Sequence, residues 1–364
     1  MNYIDGFRDP EAAACLRRRI NDLAAEVDHV SIMEVCGTHT MAISRYGIRS
    51  ILPDNIELIS GPGCPVCVTD AGYVDTAIEL ARRGVMVVTF GDLIHVPGSE
   101  TSLAECRARG TSVEVCYSPT AALELAAKNP DRDIVFLAVG FETTIPPVTS
   151  LVPMATEKGL NRVSLLTAFK LVPPALTALL ADPELRIDAF LCPAHVSAII
   201  GANAYRPFTG PAGVPCVIAG FEPLDILLGL EHILQQVRAG DAVVDNQYTR
   251  VVRTDGNSKA LALMQKYLRP VDAAWRGLGV VPQSGLGLKP EYSAFDAETR
   301  HGIKVQRGKE PVGCLCGEVI KGKTRPPQCP MFGKRCTPDH PVGPCMVSSE
   351  GTCSAYFKYS AGSL

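Results

Sequence analysis

The chain has 364 residues, 46% hydrophobic and 20% charged, enough apolar material for two or three packed domains, which excludes a disordered or fibrous chain. Its 35 Lys and Arg against 38 Asp and Glu leave a formal charge of −3 with no long basic run, which disfavours a nucleic-acid enzyme. Fourteen cysteines stand out. No basic-then-apolar leader follows Met1 and no apolar run is long enough to cross a membrane, so they read as metal-binding, redox or core cysteines of a cytoplasmic protein.

Glu11–Val27 reads as an N-terminal helix with Leu16, Ile20, Leu23 and Val27 on one side. Short β-branched runs then alternate with helical patterns. Strands are expected at Ser31–Cys36, Ile56–Ser60, Val85–Phe90, Ser112–Cys116 and Ile134–Val139, and again at Arg162–Leu166, Ala189–Cys192 and Cys216–Ala219. Helices are expected at Thr69–Arg82, Pro119–Lys128, Pro223–Arg238 and Ser258–Leu268. Val85-Met86-Val87-Val88 and Ile134–Val139 are continuous apolar runs, as parallel strands covered on both faces require. The expectation is an α/β chain of two Rossmann-like units with mostly parallel sheets. Residues 1–145 form the first, 146–275 the second, and 276–364 an irregular, cysteine-rich region. Gly140-Phe141-Glu142 and Gly220-Phe221-Glu222, each after an apolar run, form a weak internal echo with which chance similarity competes.

Cys36 closes the first strand and precedes Gly37-Thr38-His39-Thr40. A residue at the carboxyl end of a parallel strand faces the crevice where α/β proteins place their chemistry. Thr38 is positioned to cap a helix suggested by Met41–Tyr46, and unpaired N–H groups there would stabilise a Cys36 thiolate. The plain alternative is a small buried hydrophobe. His39 reads as an acid–base partner or second ligand, or as a satisfied loop residue. Gly61-Pro62-Gly63-Cys64-Pro65-Val66-Cys67 suggests a rigid, solvent-open turn whose two thiols, Cys64 and Cys67, are within disulfide or chelation reach. Asp92, Glu142, Thr144 and His195 follow further strands; each is a site candidate or an ordinary cap or polar lid residue. Neither G-x-G-x-x-G after a strand nor a phosphate-loop motif occurs, so nucleotide chemistry has little support. The absence of C-x-x-x-C-x-x-C weakens a radical-cluster reading.

Beyond Trp275 the texture changes. Cys314, Cys316, Cys329, Cys336, Cys345 and Cys353 fall within forty residues, against eight cysteines in the preceding 313. Between residues 301 and 340, eight Lys or Arg face three acidic residues, a local charge of +5. A Pro-rich segment that builds no core of its own needs a staple. Zinc prefers two close C-x₂₋₄-C pairs, and disulfides suit the cytoplasm poorly. A [4Fe–4S] cluster tolerates irregular spacing of four thiolates and leaves two cysteines spare, so it is the favoured reading, with zinc and disulfides as alternatives.

These motifs together resemble those of the HypD family of [NiFe] hydrogenase maturation proteins over essentially the whole chain. The resemblance rests on Cys36-Gly37-Thr38-His39, Gly61–Cys67, Gly140-Phe141-Glu142-Thr143-Thr144 and the tail spacing C-x₁₄-C-x₆-C-x₁₆-C at Cys314, Cys329, Cys336 and Cys353. It implies two α/β domains and a third with a [4Fe–4S] cluster on those four cysteines. It also implies a scaffold on which iron receives two cyanides and one CO. Cys36 would hold that iron together with a cysteine of a HypC-like chaperone. A HypE-like protein, with HypF as a further candidate partner, would supply the cyanide-forming group, and the hydrogenase large subunit would receive the product indirectly. Cys64 and Cys67 would be a redox dithiol fed by the cluster, and Cys316 and Cys345 a second pair. The residues alone also admit an iron–sulfur thiol–disulfide reductase acting on protein partners, or an interaction protein with a metal-stapled tail.

Overall fold

The computed structural model of the chain describes residues 5–359. All eight expected strands form: β1 Val30–Glu34, β2 Ile56–Ser60, β3 Met86–Phe90, β4 Val113–Cys116, β5 Ile134–Gly140, β6 Val163–Phe169, β7 Ala189–Pro193 and β8 Cys216–Ala219. Their burial sets their place. Every residue of β1, β5 and β7 is buried, and these strands lie inside sheets. The partly exposed β2 and β4 lie at edges. The result is α/β, with two all-parallel sheets in the orders β2–β1–β7–β8–β9 and β4–β3–β5–β6, where β9 is the short Val244–Asn246.

The sheets do not follow the expected division at residue 145. β5 and β6, on either side of it, pair from Ile134↔Val163 to Gly140↔Phe169. β1 and β2 instead share a sheet with β7, through Ile32↔Ala189 to Glu34↔Leu191. The reason is that β1 is buried along its whole length, so its backbone N–H and C=O groups need a strand on each edge, and β2 pairs with only one. The chain therefore builds the second sheet as an excursion and returns to complete the first.

Crossing the other expected boundary, β10 Leu268–Trp275 and β11 Gly279–Leu288 form an antiparallel hairpin, its second strand inside the region expected to be irregular. The glycines serve close packing: a Cβ on Gly285 would sit 2.8 Å from that of Ala273 and 3.0 Å from the Phe169 carbonyl. Trp275 is buried, and its Nε1 donates to Ser284 Oγ at 2.7 Å, closing the hairpin. Beyond Pro311 the described tail holds short helices, Cys316–Lys321, Pro326–Gln328, Pro344–Val347 and Thr352–Tyr359, and the last packs on the Gly37–Arg45 helix. Among the described residues no helix is long and apolar enough to cross a membrane.

Each parallel sheet has a point where neighbouring strands send the chain in opposite directions, opening a crevice at their carboxyl ends. In the first sheet it lies between β1 and β7, which lead to β2 and β8 respectively. Cys36 follows β1 and His195 follows β7. In the second sheet it lies between β3 and β5, followed by Asp92 and Glu142.

Candidate metal and thiol site

Cys36 N-caps the Gly37–Arg45 helix in extended backbone, φ −157° and ψ 127°. Its Sγ lies 3.9 Å from Nδ1 and 4.0 Å from Nε2 of His195, so the crevice brings thiol and imidazole face to face. The tail closes over the helix start. Thr38 Oγ1 donates to Glu350 Oε1 at 2.8 Å, and a Cβ on Gly37 would meet the Glu350 carbonyl at 2.4 Å. Two expectations change here. Thr38 does not cap the helix, because its hydroxyl is committed to Glu350. Nor is Cys36 an activated thiolate: burial pushes its thiol up to about 12 and the Glu350 charge adds to this, outweighing the N–H groups of His39 and Thr38. A thiol so placed ionises when a cation replaces its proton.

His39 is fully buried, with Nε2 2.8 Å from the Gly220 carbonyl, so that nitrogen carries the proton and donates. Its Nδ1 is buried with no partner among the described residues. Burial pulls the ring down to about 4 despite the Gly220 bond, and burial does the same to His195. Both imidazoles are therefore neutral at pH 7. The Phe221 ring lies beside both, at centroid distances of 4.8 Å from His39 and 5.1 Å from His195. A soft thiol facing one neutral imidazole offers two donors of the kind that late first-row metals accept.

Cys64 and Cys67 form a disulfide with Cα atoms 5.2 Å apart, and the Cys67 N–H donates to Cys64 Sγ at 3.1 Å. The expected solvent-open turn is instead buried. Gly61 N–H donates to the Glu34 carbonyl at 2.9 Å and Gly37 N–H to the Gly63 carbonyl at 3.0 Å, which welds the loop to the end of β1. The tail covers its other side: Gly37, Gly63, Cys64, Cys67, Cys345 and Glu350 line one small cavity.

All six tail cysteines line a second cavity and all are free thiols. Cys314 meets Cys316, Cys316 meets Cys345 and Cys345 meets Cys353. The Cys316 contact and then burial drive the Cys314 thiol far up. The Val342 N–H donates to Cys336 Sγ at 3.3 Å and the Cys353 N–H to Cys345 Sγ at 3.2 Å. Cys345 lines both cavities. Among the described residues no group of three or more His, Cys, Asp or Glu is arranged to hold a single metal ion. Six thiols around one apolar cavity, with backbone N–H groups already on sulfur, fit the donor set of an iron–sulfur cluster.

The remaining candidates make their contacts elsewhere. Exposed Asp92 accepts from Ser348 Oγ at 3.2 Å and Ser349 N–H at 3.3 Å, pinning the tail to the second sheet. Glu142 Oε1 accepts from Val172 N–H at 2.8 Å, its Oε2 is buried without a partner among the described residues, and burial pushes its carboxyl up to about 7. Thr144 N-caps a short helix and fills the space where a Cβ on Gly140 would fall, 2.4 Å from its own. The echo proves to be positional, since both Gly-Phe-Glu segments leave carboxyl ends of parallel strands. Phe141 faces Trp275 at 5.9 Å as Phe221 faces the histidines. Sequence reading missed Glu350, Phe221 and Arg276 as site residues. Only Phe221 carried a signal, through the echo.

Comparison with known proteins places these features in context. The HypD family model, described as the hydrogenase formation hypA family, matches residues 11–360. A hydrogenase maturation factor HypD of Azotobacter vinelandii is 47% identical, over 99% of this chain and 97% of its own. The HypD of Escherichia coli K12 is 42% identical over 99% and 98%. A putative hydrogenase expression/formation protein of Methanocaldococcus jannaschii is 42% identical over 94% and 95%.

Proposed function

The chain belongs to the HypD family of hydrogenase formation proteins, and on that premise we propose that it is the scaffold on which iron acquires two cyanides and one CO for a [NiFe] hydrogenase. The iron is cargo. Cys36 supplies one thiolate to it and a HypC-like chaperone the other; a HypE-like protein, with HypF upstream, brings the cyanide-forming group. The completed unit leaves for the hydrogenase large subunit.

What supports the reading is the meeting of Cys36, His195 and the Cys64–Cys67 loop at one crevice. Low-spin Fe(II) carrying cyanide and CO needs soft anionic donors, which Cys36 becomes once its proton leaves. His195, neutral and 3.9 Å away, relays that proton outward and does not keep it, because burial leaves its ring only weakly basic. Cyanide nitrogens are strong acceptors, and the Thr38 and His39 N–H groups, which face the Cys36 sulfur, are the donors at that end of the helix. Phe221 and the tail exclude water. Opening the Cys64–Cys67 disulfide takes two electrons and two protons and leaves two thiols beside the cargo.

A [4Fe–4S] cluster on Cys314, Cys329, Cys336 and Cys353 would supply one-electron chemistry when bound. Cys316 and Cys345, which face one another, then remain as a second thiol pair.

The test is infrared spectroscopy of the anaerobically isolated complex with the small chaperone. Cyanide and CO stretching bands that vanish on Cys36→Ala are expected. Their absence from a competent complex, with rapid reduction of protein disulfides in their place, would reverse the reading in favour of a reductase.

A further inference from the structure

Burying a guanidinium is costly unless its donors are satisfied. Arg276, at the turn of the hairpin, has 1% of its side chain exposed. Its backbone N–H donates to the Val68 carbonyl at 2.8 Å and its Nε to the Thr69 carbonyl at 3.3 Å. Both acceptors directly follow Cys67. Nη1 pairs with the Glu310 carboxylate, while Nη2 is buried with no hydrogen-bond partner among the described residues.

The other side of the turn touches the cysteine tail. Gly277 has φ +84°, and a Cβ on it would lie 2.5 Å from the carbonyl of Gly317, the residue after Cys316. The Arg276 charge is near enough to act on both Cys314 and Cys316. Glu310 neutralises it incompletely, because that carboxylate is 45% exposed.

We propose that Arg276 is the positioning cation of the six-cysteine cavity: its unpartnered Nη2 donor and fixed charge serve the sulfur centre held there and raise the potential at which that centre accepts an electron. The inference rests on the [4Fe–4S] reading above. A cluster gains negative charge on reduction, so a neighbouring cation favours the reduced form. Through its backbone N–H on Val68 and its Nε on Thr69 the same residue ties that centre to the turn of the Cys64–Cys67 disulfide.

The experiment uses the full chain, prepared anaerobically, with iron and sulfide counted. The potential is titrated at mildly alkaline pH by the electron paramagnetic resonance of the reduced centre. Arg276→Gln, loaded as fully as the wild type, shifts to a more negative potential, and Arg276→Lys, which keeps the charge, shifts less. Glu310→Gln removes the opposing carboxylate at an exposed position and shifts the other way, and it decides the matter if Arg276→Gln does not fold. An unshifted potential in the loaded Arg276→Gln protein, or in Glu310→Gln where that variant decides, overturns the inference alone. A wild-type chain that takes up no iron and sulfide overturns the cluster reading and this inference with it.

Discussion

Gly63 and Cys36 touch backbone to backbone: a Cβ on Gly63 would lie 2.3 Å from Cys36 Cα and 2.4 Å from its N and C atoms. Backbone atoms at the end of a buried strand cannot move aside cheaply. Gly63→Ala is therefore expected to lose roughly 1–3 kcal/mol, the usual range for overpacking a filled interior. Gly91→Ala is the control, since its Cβ would meet only Val115 Cγ1, at 3.9 Å. Denaturant unfolding of the two variants checks this, and a Gly63→Ala protein as stable as the control would mean that the two loops are not joined in solution.

The Cys64–Cys67 disulfide makes a second expectation. The thiols sit in one short turn and share one covalent bond, so thiol titration across a redox gradient should show them appearing together as a two-electron couple. Cys64→Ser should leave Cys67 reactive under conditions that protect it in the wild type. Independent titration of the two thiols would remove the dithiol from the mechanism.

How much of this was legible beforehand follows from which forces act locally. The inner strands were readable because a parallel strand covered on both faces must be apolar along its length, as Ile134–Val139 is, and the edge strands β2 and β4 because β-branched or apolar residues alternate in them. Cys36 and His195 were readable as strand-end residues, but their meeting depends on β1 pairing with β7 across more than 150 residues, which no local pattern encodes. The burial of Gly61–Cys67 and the raised Cys36 thiol were missed for a related reason. Glu350, Pro344 and Cys345, distant in the chain, supply the cover. The β10–β11 hairpin was hidden because its glycines, needed for close approach to Ala273 and Phe169, look like loop residues when read singly.

Glu142 gives a pH test whose sign is fixed by its burial. Its carboxyl is held up at about 7, against about 4.5 ordinarily, so between those values the folded chain keeps a proton that the unfolded chain has lost. The contribution is full below about pH 4.5 and disappears as pH rises through 7. Glu142→Gln lacks this dependence. Its stability relative to the wild type should thus grow across that window, by up to about 3 kcal/mol, and stay level on either side. Urea unfolding at a series of pH values measures it, and a constant difference would show that the carboxylate is solvated or paired.

The tail cysteines permit the sharpest separation, because all six line one cavity and only four can be ligands. Iron and acid-labile sulfide should each approach about four per chain after anaerobic preparation, as a [4Fe–4S] cluster requires. Cys314→Ala and Cys336→Ala should each lose the visible absorbance of the cluster, since a missing thiolate leaves one iron without its protein ligand. Cys316→Ala and Cys345→Ala should keep it, since those thiols face each other and stand outside the four-cysteine spacing. The Val342 N–H on Cys336 Sγ predicts in addition that Val342→Pro, which deletes that donor, weakens cluster retention without removing a ligand. Full clusters in both Cys314→Ala and Cys336→Ala would reject the assignment. A cluster lost only with Cys316 or Cys345 would move the ligands onto the pair placed here as free thiols.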